Sequence, residues 1–163
     1  MTGGPHTSFE RRRGVTSVHV RDGVTHFQVV DLPRQSLMPA RLEALAVLRD
    51  AGVGIDFLKL TPDGFTFAVQ DEEAARAAAA LSSAGCEAIQ SEGRTVISVQ
   101  CVNVRDEAGV VARIAEAVTA TGTRLEQVGD CHDCILLVVE REAAQRAVEG
   151  MRRAFGLEGA GAD

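Results

Sequence analysis

Two cysteines three residues apart are the first feature with a chemistry of its own. Cys131-His-Asp-Cys134 has the CxxC spacing of a zinc knuckle or of a redox pair. A structural zinc site needs four ligands, usually from two such pairs, and Cys86 and Cys101 each stand alone. The opening residues carry no apolar segment of signal-peptide type, so a disulfide framework is not expected. The segment reads as a turn between two strands. His6, His19, His26 and His132 are scattered, and His19 and His26 fall inside strand patterns, where a hydrogen-bonded structural imidazole is expected. Lys59 is the one lysine against 16 arginines, so Schiff-base or ammonium chemistry would rest on it alone. It follows no glycine cluster and precedes Leu60, which excludes a phosphate loop. No nucleophile stands beside a base in a catalytic pattern.

Two junctions remain, each where a strand ends and a helix begins: residues 31–40 and residues 104–110. Free backbone N–H groups at a helix start can hold a carboxylate, with the helix dipole in support. Asp31 or Asp106 can meet an ammonium group, and a zwitterionic amino acid offers both charges. Ordinary capping, by Ser36 and Asp106, explains the same residues without a ligand. Carboxylates elsewhere, such as Asp71, Glu72 and Glu73, fall on helix starts and favour the dipole.

Composition bounds the setting. The chain has 163 residues, 45% hydrophobic and 25% charged, which suits one domain or two small ones with a real core. A net charge of -6 argues against nucleic acid as the main partner. No apolar run approaches the roughly 20 residues that span a bilayer. A soluble cytoplasmic protein is the expectation, with no nucleic acid and no membrane as partner.

The elements that position the two junctions come in duplicate. A shift of seventy residues lays Gly52 over Gly122, Asp63 over Asp133, Phe65 over Ile135, Phe67 over Leu137 and Arg76 over Arg146, without a gap. In the first copy, alternation predicts a strand over 24–31 and helical spacing predicts a helix over 40–51. A strand over 54–60, a turn at Thr61-Pro-Asp-Gly64 and a strand over 65–70 follow. An alanine-rich helix over 71–83 and a short strand over 86–90 complete a β-α-β-β-α-β unit of ferredoxin-like type. The second copy predicts a strand over 95–104, a helix over 108–121, a hairpin of 124–128 with 134–140, and a helix over 141–155. Its tail is too poor for a fourth strand. A spare strand over 15–20 precedes the first copy, and pairing it into the second unit leaves no open edge. The fold class expected is therefore α+β, two interleaved ferredoxin-like units with the N-terminal strand completing the second. The expected bounds are 21–92 for the first unit, 14–20 plus 93–157 for the second, and flexible tails at 1–13 and 158–163.

This pattern resembles paired ACT domains, specifically the regulatory portion of aspartate kinase. The carriers are Val96-Ile-Ser-Val-Gln-Cys-Val-Asn-Val104, Ala108-Gly-Val-Val-Ala-Arg-Ile-Ala-Glu-Ala117, Thr123-Arg-Leu-Glu-Gln-Val128 and Ala147-Val-Glu-Gly-Met-Arg-Arg-Ala-Phe-Gly-Leu157. Gly14-Val-Thr-Ser-Val-His-Val20 is similar to the strand that leads from the kinase domain into its ACT pair. The resemblance implies amino-acid binding at unit interfaces, with occupancy passed to an enzyme; in aspartate kinases the effectors are lysine and threonine. With no kinase domain in this sequence, it implies a free-standing regulatory module or separate subunit. The family's first junction reads Asp-x-Pro-Gly. Here Asp31-Leu32-Pro33 matches, Arg34 replaces the glycine that lets a ligand come close, and the loop runs about five residues longer. In the second junction only Gly109 of His-Pro-Gly survives, and Leu60 stands where the family has a glutamine.

Ligand contacts implied on this basis are Asp31, Pro33, Arg34, Gln35, Ser36, Leu37 and Leu60 in the first unit. In the second they are Arg105, Asp106, Gly109, Arg124 and Leu125. The expected partners are a small amino acid or related metabolite, a second copy of the chain in a homodimer, and an enzyme under control. No cofactor, no metal and no catalytic residue is implied. The altered first loop also suits a structural dimerisation or docking module that has lost its ligand. An enzyme on the same fold, which hosts many functions, would need a catalytic constellation.

Overall fold

The computed structural model describes residues 14–102, 108–131 and 133–157. The α-helices and β-strands of the described residues are β1 (Gly14–Val29), α1 (Leu37–Asp50), β2 (Asp56–Leu60), β3 (Phe65–Gln70), α2 (Asp71–Ser83), β4 (Ala88–Val102), α3 (Val110–Thr119), β5 (Gln127–Asp130), β6 (Cys134–Glu140) and α4 (Arg141–Phe155), with a 3-10 turn at Arg34–Ser36 before α1. They form one antiparallel six-stranded sheet in the order β2-β3-β1-β4-β6-β5.

The expected interleaving is present, in a tighter form. The strands expected at 15–20 and 24–31 are one strand, β1, and those expected at 86–90 and 95–104 are one strand, β4. Polar Arg21-Asp22-Gly23 and Ser91-Glu92-Gly93 read as breaks in sequence. In space they are bulges, where the β1–β4 register slips between Arg21 and Val24 and again between Val24 and His26. Gly23 and Gly93 take φ of +74° and +65°, which glycine adopts without strain. The first half of β1 pairs with the second half of β4, from Val20↔Ile97 to Gly14↔Val102, and so supplies the fourth strand of the second unit.

Three cores result. Phe27, Val29, Phe65, Phe67 and Val69 pack under α1 and α2, with the Phe27 and Phe67 rings stacked 5.1 Å apart. Ile97, Val99, Cys101, Ile135, Leu137 and Val139 pack under α3 and α4. There Gly150 lets the helices close: a Cβ on it would stand 2.8 Å from Ala117 O. The opposite sheet face is also buried, around Val24, Ala68, Val96 and Val138, with Phe57 and Leu136 at its margin. Salt bridges brace this face at both edges: Arg21–Asp56 at 2.5 Å, and Arg94 to both carboxylate oxygens of Glu126.

Several boundaries differ from expectation: β1 ends at Val29, β2 starts at Asp56, α3 runs Val110–Thr119, and two more bear on the junctions. α1 starts at Leu37, before Pro39, which sits in the first turn where its missing N–H costs no intrahelical bond. β5 starts at Gln127, so Arg124 and Leu125 precede the strand.

Candidate functional site at the strand-to-helix junctions

At the first junction β1 ends and the chain passes through Asp31, whose φ is +54°. Leu32 turns inward, and its N–H donates to Asp63 O at 2.9 Å. Pro33 and the 3-10 turn Arg34–Ser36 stay exposed, and Leu37 is half-buried against the first core. The turn between β2 and β3 stands beside this loop because Arg41 holds it there. Arg41 is buried; its Nε donates to Gly64 O at 3.0 Å, its Nη2 to Thr61 O, and its Nη1 lies 3.4 Å from Met38 Sδ. Leu60, 52% exposed, ends β2 just before that turn. Asp31, Pro33 and Leu60 are thus carried to one end of the first unit.

Arg41 was not among the residues read from sequence. Its signal is there: Arg41, Ala44 and Leu48 make the buried stripe of α1, so an arginine occupies an apolar position. Arg41→Met is expected to leave two turn carbonyls without their donor. The cost is about 1–3 kcal/mol, read as a lower urea midpoint at unchanged slope.

The helix starts at the two junctions share a property. Ser36 sits at the N-cap of α1 without a side-chain cap bond, so the expected capping by Ser36 is not made, and no acid lies in the first turn. Gly109, at φ +84°, precedes α3, again with no side-chain cap and no acid in the first turn. By contrast α2 opens on Asp71, Glu72 and Glu73, and α4 carries Glu142. The first turns of α2 and α4 thus carry carboxylates that favour the positive helix end, and among the described residues those of α1 and α3 carry none. Arg105 and Asp106 lie outside the described residues.

Arg124 and Leu125 do not join Gly109. They follow the C-terminal end of α3, while Gly109 stands at its start; the 10 residues between span about 15 Å. Arg124 is exposed and Leu125 packs on the second core. A groove between α3 and α4, rimmed by Arg146 and Arg153, includes none of the residues read as ligand contacts.

A buried polar cluster that sequence reading did not assemble joins the two outer strands. Gln127 of β5 accepts at Oε1 from Thr66 Oγ1 at 2.7 Å and from His26 Nε2 at 2.8 Å. Its Nε2 donates to Phe57 O of β2 at 3.1 Å. His26, Thr66 and Gln127 are all below 9% exposure, and His26 is the hydrogen-bonded structural histidine expected. The sheet curls so far that its edges meet. The Phe57 ring fills the space over Gly129, where a Cβ would stand 2.6 Å from Cε2. Phe57 itself takes φ +61°, a costly conformation for an aromatic residue that this docking holds in place.

The CxxC segment is the expected turn between two strands, with one correction: Cys131 and Cys134 are joined as a disulfide. No disulfide framework was expected, because nothing in the sequence marks an oxidising compartment. A separation of three residues around a tight turn brings the sulfurs together whatever the compartment. His132 lies outside the described residues, and no metal-binding group of His, Cys, Asp or Glu occurs among those described. Cys86 is a thiol, pushed above the ordinary thiol range by burial first and by Glu43 second.

No family model matches the chain. Aspartokinase 1 of Bacillus subtilis (strain 168) is 24% identical over 139 residues, which cover 85% of this chain and 34% of that protein. The chain thus spans about a third of the length of that relative. The ligand-free regulatory subunit of aspartate kinase from Thermus thermophilus superposes with a TM-score of 0.78 at 23% identity, over 86% of this chain and 97% of that one. The regulatory subunit from Thermus flavus gives 0.79 at 23% identity, over 88% and 99%. This is the fold of an aspartate kinase regulatory subunit. The likeness takes in both units and the shared long strands, so the ACT-pair architecture expected from sequence holds for nearly the whole of those neighbours. No helix among the described residues is long and apolar enough to cross a membrane.

Proposed function

We propose that this chain is a non-catalytic regulatory module that binds a small amino acid at the interface between ACT units and transmits occupancy to an enzyme. One observation carries the reading: among the described residues the first turns of α1 and α3 hold no acid, while those of α2 and α4 do. Such an end attracts a carboxylate. Asp31, exposed beside the first of them, suits the ammonium group of the same ligand. Arg34, Gln35 and Ser36 border that end, and Arg105, Asp106 and Gly109 are the counterparts proposed for the second unit. The partner proposed for the exposed apolar side chains Met38 and Leu42 of α1, and Leu58 and Leu60 of edge strand β2, is a second copy of the chain. Binding at such a contact regulates only by favouring one of two arrangements.

A dye-based thermal melt against each amino acid tests this, since the chain has no Trp or Tyr. Ligand at about 100 times its Kd stabilises by about 2.7 kcal/mol. At about 2–4 °C per kcal/mol for this size, the melting temperature is expected to rise by about 5–10 °C with one or two amino acids. A panel flat at millimolar concentration rejects the sensor. Because Arg34 and the 3-10 turn occupy the place of the family's glycine, a flat panel together with a dimer in sedimentation supports the second reading, a docking module without ligand.

A further inference from the structure

The two units fasten the same turn by different means. Thr61 and Gly64 of the first unit correspond to Cys131 and Cys134 of the second, and the turns share a backbone hydrogen bond: Thr61 N–H to Gly64 O at 3.1 Å, Cys131 N–H to Cys134 O at 2.9 Å. In the first unit Arg41 binds both turn carbonyls. Seventy residues on from Arg41 stands Val111, an exposed side chain with no donor to offer. There the disulfide closes the turn instead, across a Cα–Cα distance of 5.2 Å.

A guanidinium clamp is permanent; a disulfide is not. This one closes so short a segment, already held by the β5–β6 ladder, that it constrains the unfolded chain little and is a weak staple. Its sulfurs are also unequal. Cys131 is exposed, whereas Cys134 is 9% exposed and paired to Gln100 of β4. β5, the strand that enters the turn, carries Gln127 and Gly129, on which Phe57 of the first unit docks. The turn also leans on the end of β4, where Cys101 N–H donates to Asp133 O at 2.8 Å, just before the second junction.

We propose that Cys131 and Cys134 are a reversible redox site, reduced by a dithiol, that sets how firmly the second unit's turn and the β5 edge are held. The dithiol's thiolate attacks the exposed Cys131 Sγ, the Sγ–Sγ bond breaks, and Cys134 leaves as a thiolate and takes up a proton. The dithiol's second sulfur attacks the mixed disulfide and releases Cys131. Two electrons and two protons pass to the cysteines, and the dithiol becomes a disulfide.

The whole chain is equilibrated in dithiothreitol buffers of graded oxidised-to-reduced ratio, acid-quenched, denatured and labelled with a maleimide. Intact mass is expected to pass from two labels to four in a single two-electron step without a three-label species. Peptide mapping is expected to place both new labels on Cys131 and Cys134, with Cys86 and Cys101 labelled throughout. Four labels at every ratio, two at every ratio, or new labels on Cys86 or Cys101 overturn the redox site. Hydrogen exchange on the two end states reads the coupling. Reduction is expected to speed exchange over 127–134 and leave 61–64 unchanged, and Cys134→Ser is expected to match the reduced protein in either buffer. Equal exchange in both states overturns the hold on β5.

Discussion

Gly64→Ala is expected to be the most damaging single methyl added to this protein. A Cβ at Gly64 would stand 1.9 Å from Val29 O and 2.8 Å from Val29 C, both backbone atoms of β1. No side-chain rotation relieves that contact, so the turn must move. Moving it strains the Leu32–Asp63 bond and both carbonyl bonds to Arg41, which position the first junction. The cost expected is about 3 kcal/mol or more, at the upper end of overpacking effects. Gly52→Ala is the matched control. Gly52 has φ +66° with nothing within 4 Å of its Cβ position, so that variant bears only the left-handed penalty of about 1–2 kcal/mol. Urea unfolding followed by circular dichroism decides it. If Gly64→Ala unfolds no more easily than Gly52→Ala, the close approach of the turn to β1 is refuted.

The second large effect is expected at Gln127. Gln127→Leu keeps much of the volume and removes one acceptor of two hydrogen bonds and one donor. His26 and Thr66 are then buried without the acceptor they share, and Phe57 O loses its donor. Each stranded buried group costs about 1–3 kcal/mol, so with three of them a loss of about 3 kcal/mol or more is expected. At about 2–4 °C per kcal/mol the melting temperature should fall by about 6 °C or more. Thr66→Val removes one partner only, and about 1 kcal/mol is expected from it. Because the groups share one network, the double variant should cost less than the sum of the two singles. Additive losses would mean that Gln127 does not serve both partners.

The halves of the chain were legible in sequence because one unit is written twice. β3, α2, β6 and α4 have the bounds that alternation and helical spacing predict. Their cores face one way, and a strand of period 2 or a helix of period 3.6 shows that in its own residues. The need for a donated fourth strand was also readable, since the second copy lacks one. The fused strands were not. Arg21-Asp22-Gly23 reads as a turn by composition, and only pairing with β4 shows a bulge. The residues of the first junction were legible through Asp31-Leu32-Pro33, but the buried Arg41 that sets its shape was not, because its partners are backbone carbonyls, which have no letter in the sequence.

By itself the sequence determined the unit, its duplication, the interleaving and the places where strands run into helices. These rest on local periodicity and on the need to bury each apolar face. Tertiary structure alone decided what closes the opposite face of the sheet. Gln127 and Phe57 are seventy residues apart at opposite ends of the strand order, and neither breaks a pattern. Their meeting follows from the curl that two glycine bulges give the long strands β1 and β4, a property of paired backbones that no single segment carries.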